Sequence, residues 1–171
     1  MAHFLPNKRF RMFKQLASPP RFYAVSTKLA WITGPLGAGL LAAGLWVGLC
    51  VAPVDSVQGE VYRAIYVHVP AAWMSMFLYV VACGYGCLNW LYRTDVSACM
   101  MRALLPTGAW MTLLALVTGA LWGKPTWGIY WVWDARMTSE LLLLFIYLGL
   151  IAVSQLTTDP SQGRPLAGHR A

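Results

Sequence analysis

Residues 137–156 read MTSELLLLFIYLGLIAVSQL, and apart from Glu140 the run carries no charge. An α-helix rises 1.5 Å per residue, so about 20 such residues cross ~30 Å of hydrocarbon. Working back along the chain, three more runs of this kind occupy residues 103–121, 70–92 and 29–52. Lipid offers no partner to a bare amide, so each run must close its own hydrogen bonds as a helix. The composition agrees: of 171 residues, 58% are hydrophobic and only 11% charged, where a soluble domain carries roughly a quarter charged. The expected fold is therefore an all-α integral membrane protein of four transmembrane helices, with residues 29–156 as one membrane domain. Gly34, Pro35, Gly37 and Gly39 predict a first helix that begins late or kinks. That first run is too long for the ~7–15 apolar residues of a cleaved signal peptide. It is read as a retained span.

Charge orients the spans. Residues 1–28 form a basic arm with Lys8, Arg9, Arg11, Lys14, Arg21 and Lys28. Together with Arg93, Arg102, Arg164 and Arg170, they put ten basic residues on one side of the membrane. The two loops on the other side, 53–69 and 122–136, hold only Arg63, Lys124 and Arg136. The positive-inside rule then predicts cytoplasmic N- and C-termini and two outward loops. Residues 157–171 read as a polar cytoplasmic tail or a point of truncation. The net charge of +7 is absorbed by this arrangement, and no basic patch interleaves with base-stacking aromatics, which argues against nucleic acid as a partner.

The outer loops carry the chemistry. In the first, Pro70 is expected to open the second helix, where its missing N–H costs nothing. That places His68 at the mouth of the helix. An ionisable group at a membrane boundary is a functional candidate, and a carbonyl-bonded interfacial histidine is the plainer alternative. The second loop reads WGKPTWGIYWVWDAR over residues 122–136 and holds four of the nine tryptophans. One or two aromatics per helix end make an ordinary interfacial belt; this loop exceeds that. Gly123, Pro125 and Gly128 are expected to break any helix here, leaving a segment built of turns. Packed indoles form a flat apolar shelf with a few N–H donors, and Lys124 and Arg136 at its margins suit carboxylates. A large planar ligand bearing carboxylates fits that description, and heme fits it better than quinone or lipid. Asp134 is placed to cap the fourth helix, and Glu140 lies in that helix's first turns, where the dipole tolerates a carboxylate.

Other residue types give less. Cys50, Cys83, Cys87 and Cys99 form no C-x-x-C pair and no heme-attachment motif. Cys83 and Cys87, one turn apart beside Gly84 and Gly86, are expected to pack helix against helix. The methionines are scattered and form no ligand set.

The run from Trp122 to Glu140 resembles the tryptophan-rich WWD signature of heme-handling proteins in cytochrome c maturation. The chain as a whole is similar to the CcmC heme-delivery family. Supporting stretches are Pro19 to Tyr23 before the first span, Tyr66 to Ala72 entering the second, and Leu116 to Ala120 ahead of the signature. The resemblance implies a protein of the bacterial inner membrane that holds heme b non-covalently and transiently at the outer face, its WWD shelf against the porphyrin. It implies delivery to the heme chaperone CcmE, beside the transporter subunits CcmA and CcmB and the small membrane protein CcmD, with no enzymatic turnover. His68 matches an axial heme ligand. Trp122, Trp127, Trp131, Trp133 and Asp134 match signature positions, with Arg136 at the margin. The family's second axial histidine lies in a later outer loop. The remaining histidines here, His3 and His169, fall on the opposite side, so that ligand is not carried over.

Two other classes fit some of the residues. A b-type cytochrome or quinol-handling subunit would hold heme between histidines inside its spans, and these spans have none. A scaffold that uses its tryptophans only as interfacial anchors, or an inactive fragment of the same family, would bind no heme.

Overall fold

A computed structural model describes residues 18–156. The arm residues Lys8, Arg9, Arg11 and Lys14 and the tail 157–171, with His3 and His169, lie outside them. The described residues form four long helices: α1 (Pro19–Trp46), α2 (Ile65–Tyr92), α3 (Asp95–Trp127) and α4 (Ala135–Leu156). A short π-helical turn, Val47–Val51, ends α1, and a 3-10 turn, Glu60–Ala64, leads into α2. All four are long and apolar enough to cross a membrane, as expected.

The helices run past the apolar segments that signal them. α1 starts at Pro19, with prolines in its first two positions, where a missing N–H leaves no bond unmade. It continues through Gly34, Pro35, Gly37 and Gly39, so the expected late start is not seen. α3 spans 33 residues, about 50 Å at 1.5 Å each, well beyond ~30 Å of hydrocarbon. Hydropathy marks only the stretch suited to lipid, and a helix carries on until a cap stops it. Pro70 lies inside α2. His68 is therefore in the helix's first turn and not ahead of it, because the 3-10 turn starts the winding earlier than the proline.

A tight connection makes α2 and α3 an antiparallel pair. Arg93 takes the left-handed conformation (φ 50°) and its N–H bonds to Asn89 O at 2.8 Å, closing α2. Thr94 then caps α3, accepting from Ser97 N, with Asp95 at the positive end of the dipole. On α2 the buried residues are Ala71, Ser75, Leu78 and Ala82, a stripe at three- and four-residue spacing that lies on one helix face. The matching face of α3 includes Leu105, Gly108, Ala109, Thr112 and Ala115. Small residues let the two backbones approach closely.

α4 packs on the same side through Tyr147, which is fully buried among Ala82, Leu105 and Ala109. Gly108 makes room for it: a Cβ there would lie 2.2 Å from Tyr147 Cζ. The cysteines do not share in this packing. All four are free and exposed, and Gly84 meets open space. The stripe runs through Ala82, one position away from Cys83, which turns the Cys83–Cys87 edge toward lipid instead.

α1 buries no residue and is tied to the rest at its far end. A Cβ at Gly48 would lie 2.7 Å from Tyr66 Cγ, so the turn after α1 sits directly on α2. Arg63 reaches the carbonyls of Gly48 (3.3 Å) and Leu49 (3.0 Å) and pairs with Glu60. A cation there answers the negative end of the α1 dipole.

Candidate functional site

His68 leans across to α3. Its Nδ1 lies 3.0 Å from Ala115 O and 3.2 Å from Thr118 Oγ1. The Thr118 hydroxyl donates to Leu114 O at 2.6 Å, so it offers His68 a lone pair. Both partners of Nδ1 are thus acceptors, and in the neutral ring the proton belongs on Nδ1. Nε2 then carries the lone pair, and no hydrogen bond to it is found among the described residues. Metal-ligating histidines are typically held this way, with the second nitrogen donating to a carbonyl. Gly119 shapes the space: an added Cβ would stand 2.9 Å from His68 Cε1 and 3.3 Å from Nδ1. The residues facing the imidazole, Ala115, Thr118, Gly119 and Trp122, follow the spacing of one helix face.

Trp122 closes the cluster. Its ring meets His68 edge-on, with centroids 5.8 Å apart and planes at 71°. Tyr62 also meets it edge-on, with centroids 6.1 Å apart. Its Nε1 donates to Gln58 Oε1 at 2.8 Å, which joins the first outer loop to the start of the second. Gln58 is set in place by Asp55, whose Oδ1 accepts from Val57 N (2.9 Å) and Gln58 N (2.7 Å). Those amides of Gln58 and Val57 hold the Asp55 carboxyl below its ordinary value.

The tryptophan-rich segment is partly helical, contrary to the expectation of turns throughout. α3 continues through Trp122, Gly123, Pro125 and Trp127. Gly123 is buried because Ile129 O and the Trp127 ring crowd it, so it is a packing glycine and not a breaker. The helix stops at Gly128 (φ 82°), whose N–H bonds to Lys124 O at 2.9 Å. This is the left-handed cap that glycine adopts without strain.

The remaining predicted residues form separate groups. Trp131 and Trp133 pair edge-on at 5.3 Å, and among the described residues no ring contact joins them to His68 and Trp122. Trp133 and Trp127 are largely exposed. Trp131 Nε1 is buried with no partner among the described residues, an orphan donor of the kind that costs about 1–3 kcal/mol unless a ligand meets it.

Asp134 caps α4 as expected, its Oδ1 accepting from Met137 N at 2.9 Å. Arg136 is not a free cation: it donates to Asp134 Oδ2 at 2.7 and 3.0 Å. The Met137 amide, then Arg136, hold the Asp134 carboxyl below its ordinary 3.8. Lys124 likewise bonds Gly128 O at 2.9 Å and lies over the Tyr130 ring. Lys124 sits at the C-terminal end of α3, where the dipole favours a cation, and Arg136 is held by the carboxylate that caps α4.

Sequence reading missed Gln58, Tyr62, Ala115 and Gly119 as parts of the site and gave Thr118 no role. The spacing of residues 115, 118, 119 and 122 was available, but only to a reading that carried the helix past Leu121.

Among the described residues, an all-helical bundle of four helices long and apolar enough to cross a membrane, with a histidine–tryptophan cluster at one end, defines a multi-pass membrane protein with a prepared polar site. The family model of CcmC, heme exporter protein C, matches residues 12–168, and the chain belongs to that family. Heme exporter protein C of Escherichia coli K12 is 41% identical over 163 residues, covering 95% of this chain and 64% of the relative. The protein of that name from Bradyrhizobium diazoefficiens is 44% identical over 151 residues, covering 86% of this chain and 56% of the relative. A cytochrome c biosynthesis ccmC-like mitochondrial protein of Marchantia polymorpha is 42% identical over 148 residues, covering 86% and 65%. The chain spans less than two thirds of the length of these relatives.

Proposed function

We propose that this protein receives heme b at the outer face of the bacterial inner membrane and delivers it to the chaperone CcmE during assembly of c-type cytochromes. It does so beside CcmA, CcmB and CcmD and without enzymatic turnover. Both termini are cytoplasmic on this reading, and residues 122–136 face the periplasm. One observation carries it: His68 is held through Nδ1 by Ala115 O and Thr118 Oγ1, which leaves Nε2 for iron. A neutral imidazole is an ordinary heme ligand.

The residues present fit such a cargo. Trp122 stands against the ligand ring. Trp127, Tyr130 and Trp133 offer exposed apolar area nearby in sequence, and the orphan Trp131 N–H suits a carboxylate. Arg136 can serve a propionate by sharing its bond to Asp134.

The test is complementation. A host lacking its own CcmC should regain covalently attached heme in its c-type cytochromes when it expresses this chain, and His68→Ala should fail. Equal rescue by His68→Ala would overturn the reading. A reporter fused after Thr126 that is active only in the cytoplasm would overturn the topology.

A further inference from the structure

A second polar cluster lies inside the bundle, away from His68. Ser75 is fully buried on α2. Its Oγ lies 2.7 Å from Ala72 O and 2.7 Å from Glu140 Oε1 on α4. Both are full hydrogen-bond distances for oxygen pairs. A serine hydroxyl has one proton and makes one full-strength donor bond. An ionised Glu140 would take that proton and leave Ala72 O with its helix amide alone; a protonated Glu140 gives each contact a proton of its own: Ser75 donates to Ala72 O, and Glu140 donates to Ser75 Oγ.

The surroundings agree. Glu140 is the sixth residue of α4, about 8 Å along the helix. Among the described residues the ion pairs are Arg63–Glu60 and Arg136–Asp134, and neither involves Glu140. An unpaired carboxylate inside a span is disfavoured; a hydrogen-bonded carboxylic acid is not. The titratable groups around it are Tyr147, whose hydroxyl donates to Ser75 O at 2.8 Å, and Tyr79, edge-on to Tyr147 at 5.8 Å. The cation one turn before it on α4, Arg136, is held by Asp134.

From this geometry we infer that Glu140 carries its proton inside the membrane and acts as a positioning residue, latching α4 to α2 through Ser75. The latch lies where register matters. Ser75 follows His68 by seven residues, two turns down the same face of α2. Glu140 follows Asp134, the cap that ends the tryptophan-rich segment. Tyr147 prevents slippage: it crosses α3 over Gly108, where a Cβ would lie 2.3 Å from its hydroxyl oxygen. The consequence for heme rests on the function proposed above; the protonated latch does not.

The experiment compares wild type, Glu140→Gln and Glu140→Ala as full-length protein in lipid at pH 7. Infrared spectra should show a deuterium-sensitive carboxylic-acid carbonyl band in wild type that Glu140→Gln lacks. Glutamine is neutral, has the same shape and can donate its amide N–H to Ser75, so it should keep the wild-type melting temperature and heme affinity. Glu140→Ala should melt lower and bind heme about tenfold more weakly, the usual scale for a lost supporting contact. An unchanged band in Glu140→Gln would overturn the protonated form. Glutamine as damaging as alanine would show that charge, not the shared proton, holds the helices. If wild type takes up no heme, the heme site fails, and the band and melting temperatures still decide the latch.

Discussion

Gly119→Ala should separate heme binding from folding. The added methyl would stand 2.9 Å from His68 Cε1 and 3.3 Å from Nδ1. Ordinary carbon contacts settle near 3.5–4.0 Å, so the ring must retreat by about 0.6 Å. Its bond to Ala115 O is 3.0 Å long, and a retreat of that size stretches it to about 3.6 Å, no longer a hydrogen bond. One neutral hydrogen bond is worth about 0.5–1.5 kcal/mol, and lost support of a metal ligand usually costs roughly 10–100-fold in affinity. We expect heme affinity to fall about tenfold. Stability should hold, because the imidazole is the free end of a side chain and can swing aside, and alanine favours a helix over glycine by about 0.8–1.0 kcal/mol. The assay is a Soret titration of detergent-purified protein beside its thermal melt, with Gly84→Ala and Gly149→Ala, which meet open space, as silent controls. Wild-type affinity in Gly119→Ala, with loss in His68→Ala, would refute the placement of the imidazole against Gly119.

Gly108→Ala should act on stability instead. Tyr147 is fully buried and cannot retreat, so overpacking should cost about 1–3 kcal/mol and lower the melting temperature. Gln58→Ala removes the acceptor of the Trp122 N–H and should weaken heme binding several-fold in the same titration, while Gln58→Glu, which still accepts, should restore it. Asp134 is ionised at neutral pH, and its folded value lies below the ordinary 3.8. Its contribution to stability is complete above that value, declines as pH falls through it and is gone below the lowered folded value. Protection against hydrogen exchange at Met137 and Thr138, taken relative to the unfolded-chain rate at each pH, should therefore fall in acid in wild type and already be low at pH 7 in Asp134→Ala.

The four spans were legible because hydropathy over about 20 residues is a property of the chain alone. Their ends were not. Gly123 and Pro125 look like breakers, yet α3 runs through both: Gly123 is small because Ile129 and Trp127 pack on it, a contact no local pattern announces. Pro70 looks like a helix start, but the turn at Glu60–Ala64 had already begun the winding. His68 and Trp122 stood out by residue type and position. Gln58 did not, since its role depends on a partner 64 residues away. Arg136 read as a free cation although its partner, Asp134, lies two residues off; the capping geometry that brings them together appears only once α4 has formed.

The most direct test of the account is the absorption spectrum of purified wild-type protein beside His68→Ala, each with heme quantified as the pyridine hemochrome. Heme ligated by His68 should give a Soret band and bound heme in wild type, both lost in His68→Ala. A Soret band of equal position and intensity in the two proteins would contradict it.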